Sequence, residues 1–440
     1  MTIVLTHRGK AYLVLVAFTA TLALFIDYKL IVGFALLVSI FYAMKFHVEI
    51  STALVERLEV SSRASYTVER EPLIVEYTLS NRSRHSILWL EYSLEYESAL
   101  ALIEGAKAGL LVLPGRSTVT LRFVFKARTG THWIGPFKVV VRDLLGLFRT
   151  REFEVGSKVV VSIPPAIETA LVRRLYVYTR SAGLVKTRSP GEGVEFYDVR
   201  EYKPGDEPRR VVWRVFASRG KLAVWEAEKE TYQGLVYVVD SCKDMWTGPY
   251  NQSVFEHSAR IVASIARYVS KRGYAQSIIL FDERRVLSSG RPSFGPQGVA
   301  RVLETISRAE LPSGERARCD DVWERVLKEI ISILPRERAF VFIFTRPGAK
   351  RWEGLLNLSL KLQSMGHEVY VVTPIITAYD LTPEMPSKLY SVYRAKQLSI
   401  LKEDLDGLLK LREAGINVIS MTPQLVAQRI VQLIEARASI

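Results

Sequence analysis

Two apolar runs separated by three residues dominate the N-terminus. Ala11–Ile26 (AYLVLVAFTATLALFI) holds nothing more polar than two threonines. Asp27, Tyr28 and Lys29 interrupt it, and Leu30–Met44 (LIVGFALLVSIFYAM) resumes. A helix pair buried in a soluble core keeps a polar stripe, whereas here Val, Ile, Leu and Phe cover every face. A cleaved signal peptide fits poorly, because a second apolar run follows and no small-residue cleavage site is evident. Each run is slightly under the ~20 residues that cross ~30 Å of hydrocarbon, a gap that snorkelling flanks and bilayer thinning cover. Residues 1–47 are therefore expected to form a transmembrane helical hairpin that meets lipid through residues 11–44. Arg8 and Lys10 before the first run and Lys45 after the second put both ends, and the domains downstream, on the cytoplasmic side of the cell membrane.

The 440 residues leave room for two or three domains of roughly 100–200 residues beyond the hairpin. A hydrophobic share of 48% lets them bury ordinary cores. The net charge of +14 suits anionic lipid, an acidic protein or nucleic acid. It is scattered, as in Arg173–Arg174, Arg209–Arg210 and Arg284–Arg285, so no nucleic-acid-binding arm is expected. Two cysteines, Cys242 and Cys319, exclude a disulfide framework. No CxxC or HExxH is present, so the spacings that mark zinc sites are absent and no cofactor is expected.

From Val48 to Pro164 the pattern becomes short alternating runs. These are VERLEV, YTVEREPLIVEYTLSN, ILWLEYSLEY, GLLVLPG, STVTLRFVFKAR, FKVVVRD and REFEVG, punctuated by Gly, Pro, Asn and Asp. Residues 48–164 are thus expected to be an all-β, immunoglobulin-like sandwich with nothing catalytic in view. Residues 234–440 change again, alternating strands with helices. The strands are LVYVVD (Leu235–Asp240), SIILFD (Ser277–Asp282), AFVFIFT (Ala339–Thr345), Glu368–Thr373 and Ile416–Met421. That alternation predicts a doubly wound parallel sheet, with any site at the carboxyl ends of its strands.

Asp240-Ser241-Cys242-Lys243-Asp244 ends the first of those strands. It resembles the DxSxS motif of von Willebrand factor type A domains, in which the Asp and two Ser oxygens help hold a divalent metal. Here Cys242 and Asp244 replace the two serines, and a thiol is a poor ligand for a hard cation. The resemblance also implies a Thr from a later loop and an Asp after the fourth strand. The loop Gly314–Asp321 has no Thr, and the Asp position is taken by Arg346. Asp240, Cys242, Asp244 and Arg346 therefore read as a degenerate metal site with no metal. A guanidinium at Arg346 is expected to pair with Asp240 or Asp244. Cys242, with His257 downstream, lacks an activating constellation and reads as packing.

Between these regions, residues 165–233 carry the most distinctive run, Gly193-Val-Glu-Phe-Tyr-Asp-Val-Arg-Glu-Tyr-Lys-Pro-Gly-Asp-Glu-Pro-Arg-Arg-Val-Val-Trp213, then Gly220-Lys221-Leu222. It reads as a Pro-Gly-Asp turn cradled by ion pairs, with Asp206 receiving Arg200, Arg209 or Arg210. The run resembles the signature of the family called domain of unknown function fifty-eight. Gly193, Glu195, Phe196, Arg200, Glu201, Tyr202, Gly205, Asp206, Arg209 and Trp213 match it. Phe216 and Ser218 occupy the usual Ser and Arg slots, and Arg219 falls one residue late. Upstream, Arg128–Phe137 and Arg142-Asp-Leu-Leu-Gly-Leu-Phe148 resemble two further stretches of the family.

The resemblance implies a membrane protein with a type A-like domain, often encoded beside AAA+ ATPases of the MoxR type. The expected function is a non-catalytic, membrane-anchored adaptor or assembly factor that binds such an ATPase or its client. Trp246 and Tyr250, beside the strand-end residues 240–247 and 346–350, are the expected aromatic anchors. The alternative is a metal-dependent hydrolase using the strand-end carboxylates, although no general base or phosphate-cradling glycine loop accompanies them.

Overall fold

A computed structural model describes residues 3–181, 190–228, 234–248, 250–312, 322–335, 338–376 and 387–438. The chain divides into two compact units, Met1–Ile163 and Pro164–Ile440.

The first unit opens with strand β1 (Ile3–Leu5) and helices α1 (His7–Phe25) and α2 (Ile31–Glu56). Both helices are long and apolar enough to cross a membrane. Their apolar side chains face outward, with Leu24, Phe25 and Val32 all at least 76% exposed. A soluble core helix would bury those groups. The strands that follow are β2 (Glu59–Ala64), β3 (Pro72–Asn81), β4 (Ile87–Tyr96), β5 (Ala101–Glu104), β6 (Ala108–Leu113), β7 (Ser117–Lys126), β8 (Gly130–Val141), β9 (Phe148–Thr150), β10 (Phe153–Val155) and β11 (Val159–Ile163). They form two antiparallel sheets, β2-β3-β7-β5 and β10-β8-β4-β6, with β11 also paired to β8. Alternation along β3 sends Leu73, Val75, Tyr77 and Leu79 into the core. Tyr77 packs edge-on against Phe137 of the other sheet, centroids 4.5 Å apart, and its hydroxyl donates to the Ile134 carbonyl at 3.1 Å.

Val55-Glu-Arg-Leu-Glu-Val60 does not form the strand expected from its alternation. The helix α2 continues to Glu56, and β2 begins at Glu59. Val48, Ser51, Thr52 and Val55 recur at helical spacing and are buried, with Val48 and Val55 in the β-core. The N-terminal end of the hairpin is held as well, because β1 pairs with β9. Hairpin and β-sheets share one core.

The two upstream family-like stretches are structural. Buried His132 contacts Glu97 Oε2 and the Arg128 carbonyl, each at 2.9 Å. Asp143, also buried, accepts N–H bonds from Leu145 at 3.0 Å and Phe148 at 2.6 Å. Gly146 supplies the positive φ of +69° that this turn needs.

The second unit contains α3 (Thr169–Ser181), β12 (Pro190–Glu201), α4 (Trp213–Arg219), β13 (Ala223–Glu228), β14 (Gly234–Asp240), α5 (Val254–Ser270), β15 (Gln276–Phe281), β16 (Val286–Ser288), α6 (Gly295–Ser307), α7 (Val322–Ile333), β17 (Ala339–Phe344), α8 (Gly348–Ser364), β18 (Glu368–Pro374), α9 (Ser387–Glu413), β19 (Asn417–Met421) and α10 (Pro423–Ala438). Six strands form one sheet in the order β16-β15-β14-β17-β18-β19, parallel except for the edge strand β16. Every residue of β14 is buried, as its unbroken apolar sequence requires. Leu235, Tyr237 and Val239 join the core beneath α3, α5, α6 and α10. Val236 and Val238 join the opposite core beneath α7, α8 and α9. Ser253 and Glu256 close a capping box that starts α5.

Burial of α2 in the β-core generates a prediction. Val55→Ala lowers stability by about 1–2 kcal/mol, whereas Val32→Ala, equally apolar but outward-facing, changes it by less than ~0.5 kcal/mol. Denaturant unfolding of the detergent-solubilised chain compares the two.

Candidate functional site

The order of the six strands seats β14 between β15 and β17, and the chain leaves those two neighbours on opposite sides. The crevice outside such a point is where open α/β sheets bind ligands. Asp240, at the end of β14, is fully buried there. Its Oδ1 accepts the Cys242 N–H at 2.8 Å. Its Oδ2 accepts the Thr345 hydroxyl at 2.6 Å and faces Arg351 Nη2 at 3.0 Å. The same Nη2 donates to Cys242 Sγ at 3.5 Å, and the guanidinium stands 5.6 Å from the Trp323 ring.

Arg346 does not pair with the carboxylate of Asp240 or Asp244. It reaches past them to buried Asp404 of α9, with Nε 2.7 Å from Oδ2, and its Nη1 donates to the Asp244 carbonyl at 2.9 Å. The side chain of Asp244 points to solvent. Burial pushes the Asp404 carboxyl above its ordinary range, against the opposing pull of Arg346. Thr345, Arg351 and Asp404 were not singled out from sequence. Thr345 lay in view as the last residue of AFVFIFT, while nothing local marks Arg351 or Asp404.

These side chains do not suit a divalent cation. Both Asp240 oxygens are engaged, one beside a guanidinium, and the next motif position is a thiol. Among the described residues no three His, Cys, Asp or Glu side chains converge. The loop Gly314–Asp321, which includes Cys319, and Pro249 lie outside the described residues.

Trp246 is not a surface anchor. It is 7% exposed, tilted against Phe255 at 4.3 Å, and its Nε1 donates to the Ser241 carbonyl at 2.9 Å. The indole fills the space between the β14 end and α5, so its apolar area is spent on the core. Tyr250 is half-buried.

A group of exposed aromatic residues lies instead on the β12–β13 arm. Arg200 clamps Asp206 with two parallel bonds of 2.7 and 2.8 Å, and its Nε meets Glu226 Oε1 at 2.6 Å. Asp206 also accepts the Lys203 N–H at 2.8 Å. Gly205, at φ +109°, lets the chain reverse. Of the three arginines considered for Asp206, the geometry selects Arg200. Arg210 meets Glu207 at 3.4 Å and lies over the Trp225 ring, while Arg209 is exposed. Glu201 pairs with Lys221 at 3.1 Å. The turn thus holds α4 out on a short ladder, with Trp213 64% and Phe216 43% exposed and in edge-to-face contact. Tyr202 and Leu222 are exposed on the same arm, among Lys203, Arg209, Arg214 and Arg219. The side chains of Gly193, Glu195 and Phe196 lie outside the described residues.

Residues 198–373, which run from this arm through the middle of the six-stranded sheet, match the family model described as "Protein of unknown function DUF58". No curated protein matches the chain. Among solved structures, the SpRpn10 VWA domain matches at 14% identity and a TM-score of 0.27, over 46% of this chain and 94% of that one.

Two predictions follow from the two carboxylates. Asp240→Ala strands a buried guanidinium and costs about 3–5 kcal/mol, whereas Asp240→Ala with Arg351→Met recovers much of it; thermal unfolding of the two variants measures the difference. Asp206 is held down to about 2 by Arg200 and the Lys203 amide. A carboxylate whose folded pKa is depressed stabilises the arm above its ordinary value near 4, and that contribution disappears as pH falls towards 2. NMR titration of Asp206 should therefore show no inflection near 4.

Proposed function

We propose that this DUF58 member is a membrane-anchored, non-catalytic adaptor that binds a protein through its β12–β13 arm. The observation that carries this reading is the exposure of Trp213, Phe216, Tyr202 and Leu222 on one arm that also carries exposed Lys203, Arg209, Arg214 and Arg219. Trp, Tyr and Arg are the residues that dominate binding energy in protein interfaces. The clamp between Arg200 and Asp206 pre-orders the arm, which lowers the entropy lost on docking. Its charge favours a partner with an acidic surface around an apolar pocket. The resemblance noted from sequence points to an AAA+ ATPase of the MoxR type, or its client, as that partner.

The hairpin anchors the protein, and Arg8, Lys10 and Lys45 orient both units towards the cytoplasm. The two facing antiparallel sheets support an immunoglobulin-like sandwich for residues 48–164. The order of the six strands, with cores on both faces, supports a doubly wound, type A-like domain for residues 234–440. The signature segment, 165–233, presents the arm. Nothing favours the metal-dependent hydrolase, whose candidate carboxylate Asp240 is held by Arg351 and Thr345.

Affinity capture from detergent-solubilised membranes tests the reading. An AAA+ ATPase should be recovered with the native chain. Trp213→Ala with Phe216→Ala should weaken that binding at least about 30-fold, the effect of losing ~2 kcal/mol at a hot spot. Undiminished recovery with the variant would remove the arm from the interface. Hydrolase activity in the purified protein, with no partner recovered, would sink the adaptor.

A further inference from the structure

The stretch Arg142-Asp-Leu-Leu-Gly-Leu-Phe148 remains unexplained by protein binding, and its geometry is unusual. It forms a tight turn locked from inside by Asp143, yet it presents two large apolar side chains outward. Leu144 is 50% exposed and Leu145 47%. Adjacent on a rigid turn, they form a small apolar protrusion.

The turn is riveted to the mouth of the first membrane helix. Thr6 caps α1 by accepting the Gly9 N–H at 3.1 Å. The same hydroxyl donates to the Gly146 carbonyl at 2.6 Å, and the Thr6 N–H donates to the Leu147 carbonyl at 2.9 Å. Gly9 packs so closely that a Cβ there would lie 2.3 Å from the Leu147 oxygen. On the second helix, Phe148 meets Phe41 with centroids 4.8 Å apart. Phe41 lies one helical turn to the membrane side of Lys45. The turn therefore sits level with the collar of Arg8, Lys10 and Lys45 that brackets the hydrocarbon. Arg8 lies beside the turn, its Nη1 3.8 Å from where a Cβ on Gly146 would stand, and Arg149 is exposed just beyond.

We infer that the Leu144–Leu145 turn is a second membrane contact, a wedge that enters the headgroup layer of an anionic bilayer beside the hairpin. Apolar tips flanked by Arg and Lys are what interfacial anchors present to lipid. Because hairpin and turn belong to one core, the wedge would fix the tilt of the β-sheets on the membrane rather than leave them on a loose tether. The inference rests on the hairpin lying in the bilayer.

The test uses the full chain in a Cys319→Ser background, with Leu145→Cys carrying an environment-sensitive fluorophore. It is reconstituted in vesicles of phosphatidylcholine and phosphatidylglycerol that hold nitroxide quenchers either high or low on the acyl chains. Leu36→Cys, an exposed apolar position on α2, serves as the hairpin probe. Expected is strong quenching of the Leu36 probe by the low nitroxide and of the Leu145 probe by the high one. Quenching at Leu36 with none at Leu145 overturns the wedge and leaves the hairpin standing. No quenching at either position overturns the hairpin reading and the wedge with it.

Discussion

A carboxylate at the end of a strand buried on both faces has no water to solvate it, so the protein must supply its counter-charge and its hydrogen bonds. Asp240 is in that position. Arg351 supplies the charge, and Thr345 and the Cys242 amide supply the bonds. Those partners come from the start of α8, the end of β17 and the turn after β14, so satisfying one ion ties together the elements that border the crevice. Arg346 repeats the device one layer further out, joining Asp404 to the Asp244 backbone. Among the described residues, guanidinium groups stand beside the carboxylates where a metal would need free oxygen ligands. The chemistry of the crevice is spent on holding the sheet edge together.

The first unit depends on a different constraint. An apolar helix that runs on past its hairpin partner must either fray into a linker or find a new apolar surface. The helix α2 finds one, carrying Val48 and Val55 into the β-core. At the other end β1 joins β9 and Thr6 bonds to the Gly146–Leu147 backbone. Sheets attached at both ends of a hairpin cannot swing freely relative to it.

Much of this was readable in the chain. The two apolar runs, the alternation of strands and helices after Gly234 and the Pro-Gly-Asp turn all express local periodicity or turn chemistry, and each lies where expected. Three readings failed for reasons beyond local sequence. Alternation in Val55–Val60 suggested a strand, but the stripe from Val48 to Val55 suited a helix seated in a core. Sequence suggests Trp246 as a surface anchor, yet it fills a gap between β14 and α5. The likeness to type A domains puts Arg346 at the same degenerate metal site as Asp240 and Asp244, and so suggests a pair with one of them, but Asp404 in α9 holds its guanidinium instead.

Sequence by itself determined the apolar hairpin, the strand at Leu235–Asp240 and the family-like signature around Asp206, because hydropathy, periodicity and turn residues act within a few positions. Only the tertiary structure decided which guanidinium neutralises Asp240, which aromatic side chains stay in solvent, and that the hairpin shares a core with the β-sheets. Those outcomes depend on contacts between residues a hundred or so positions apart, such as Asp240 with Arg351 and Thr6 with Gly146.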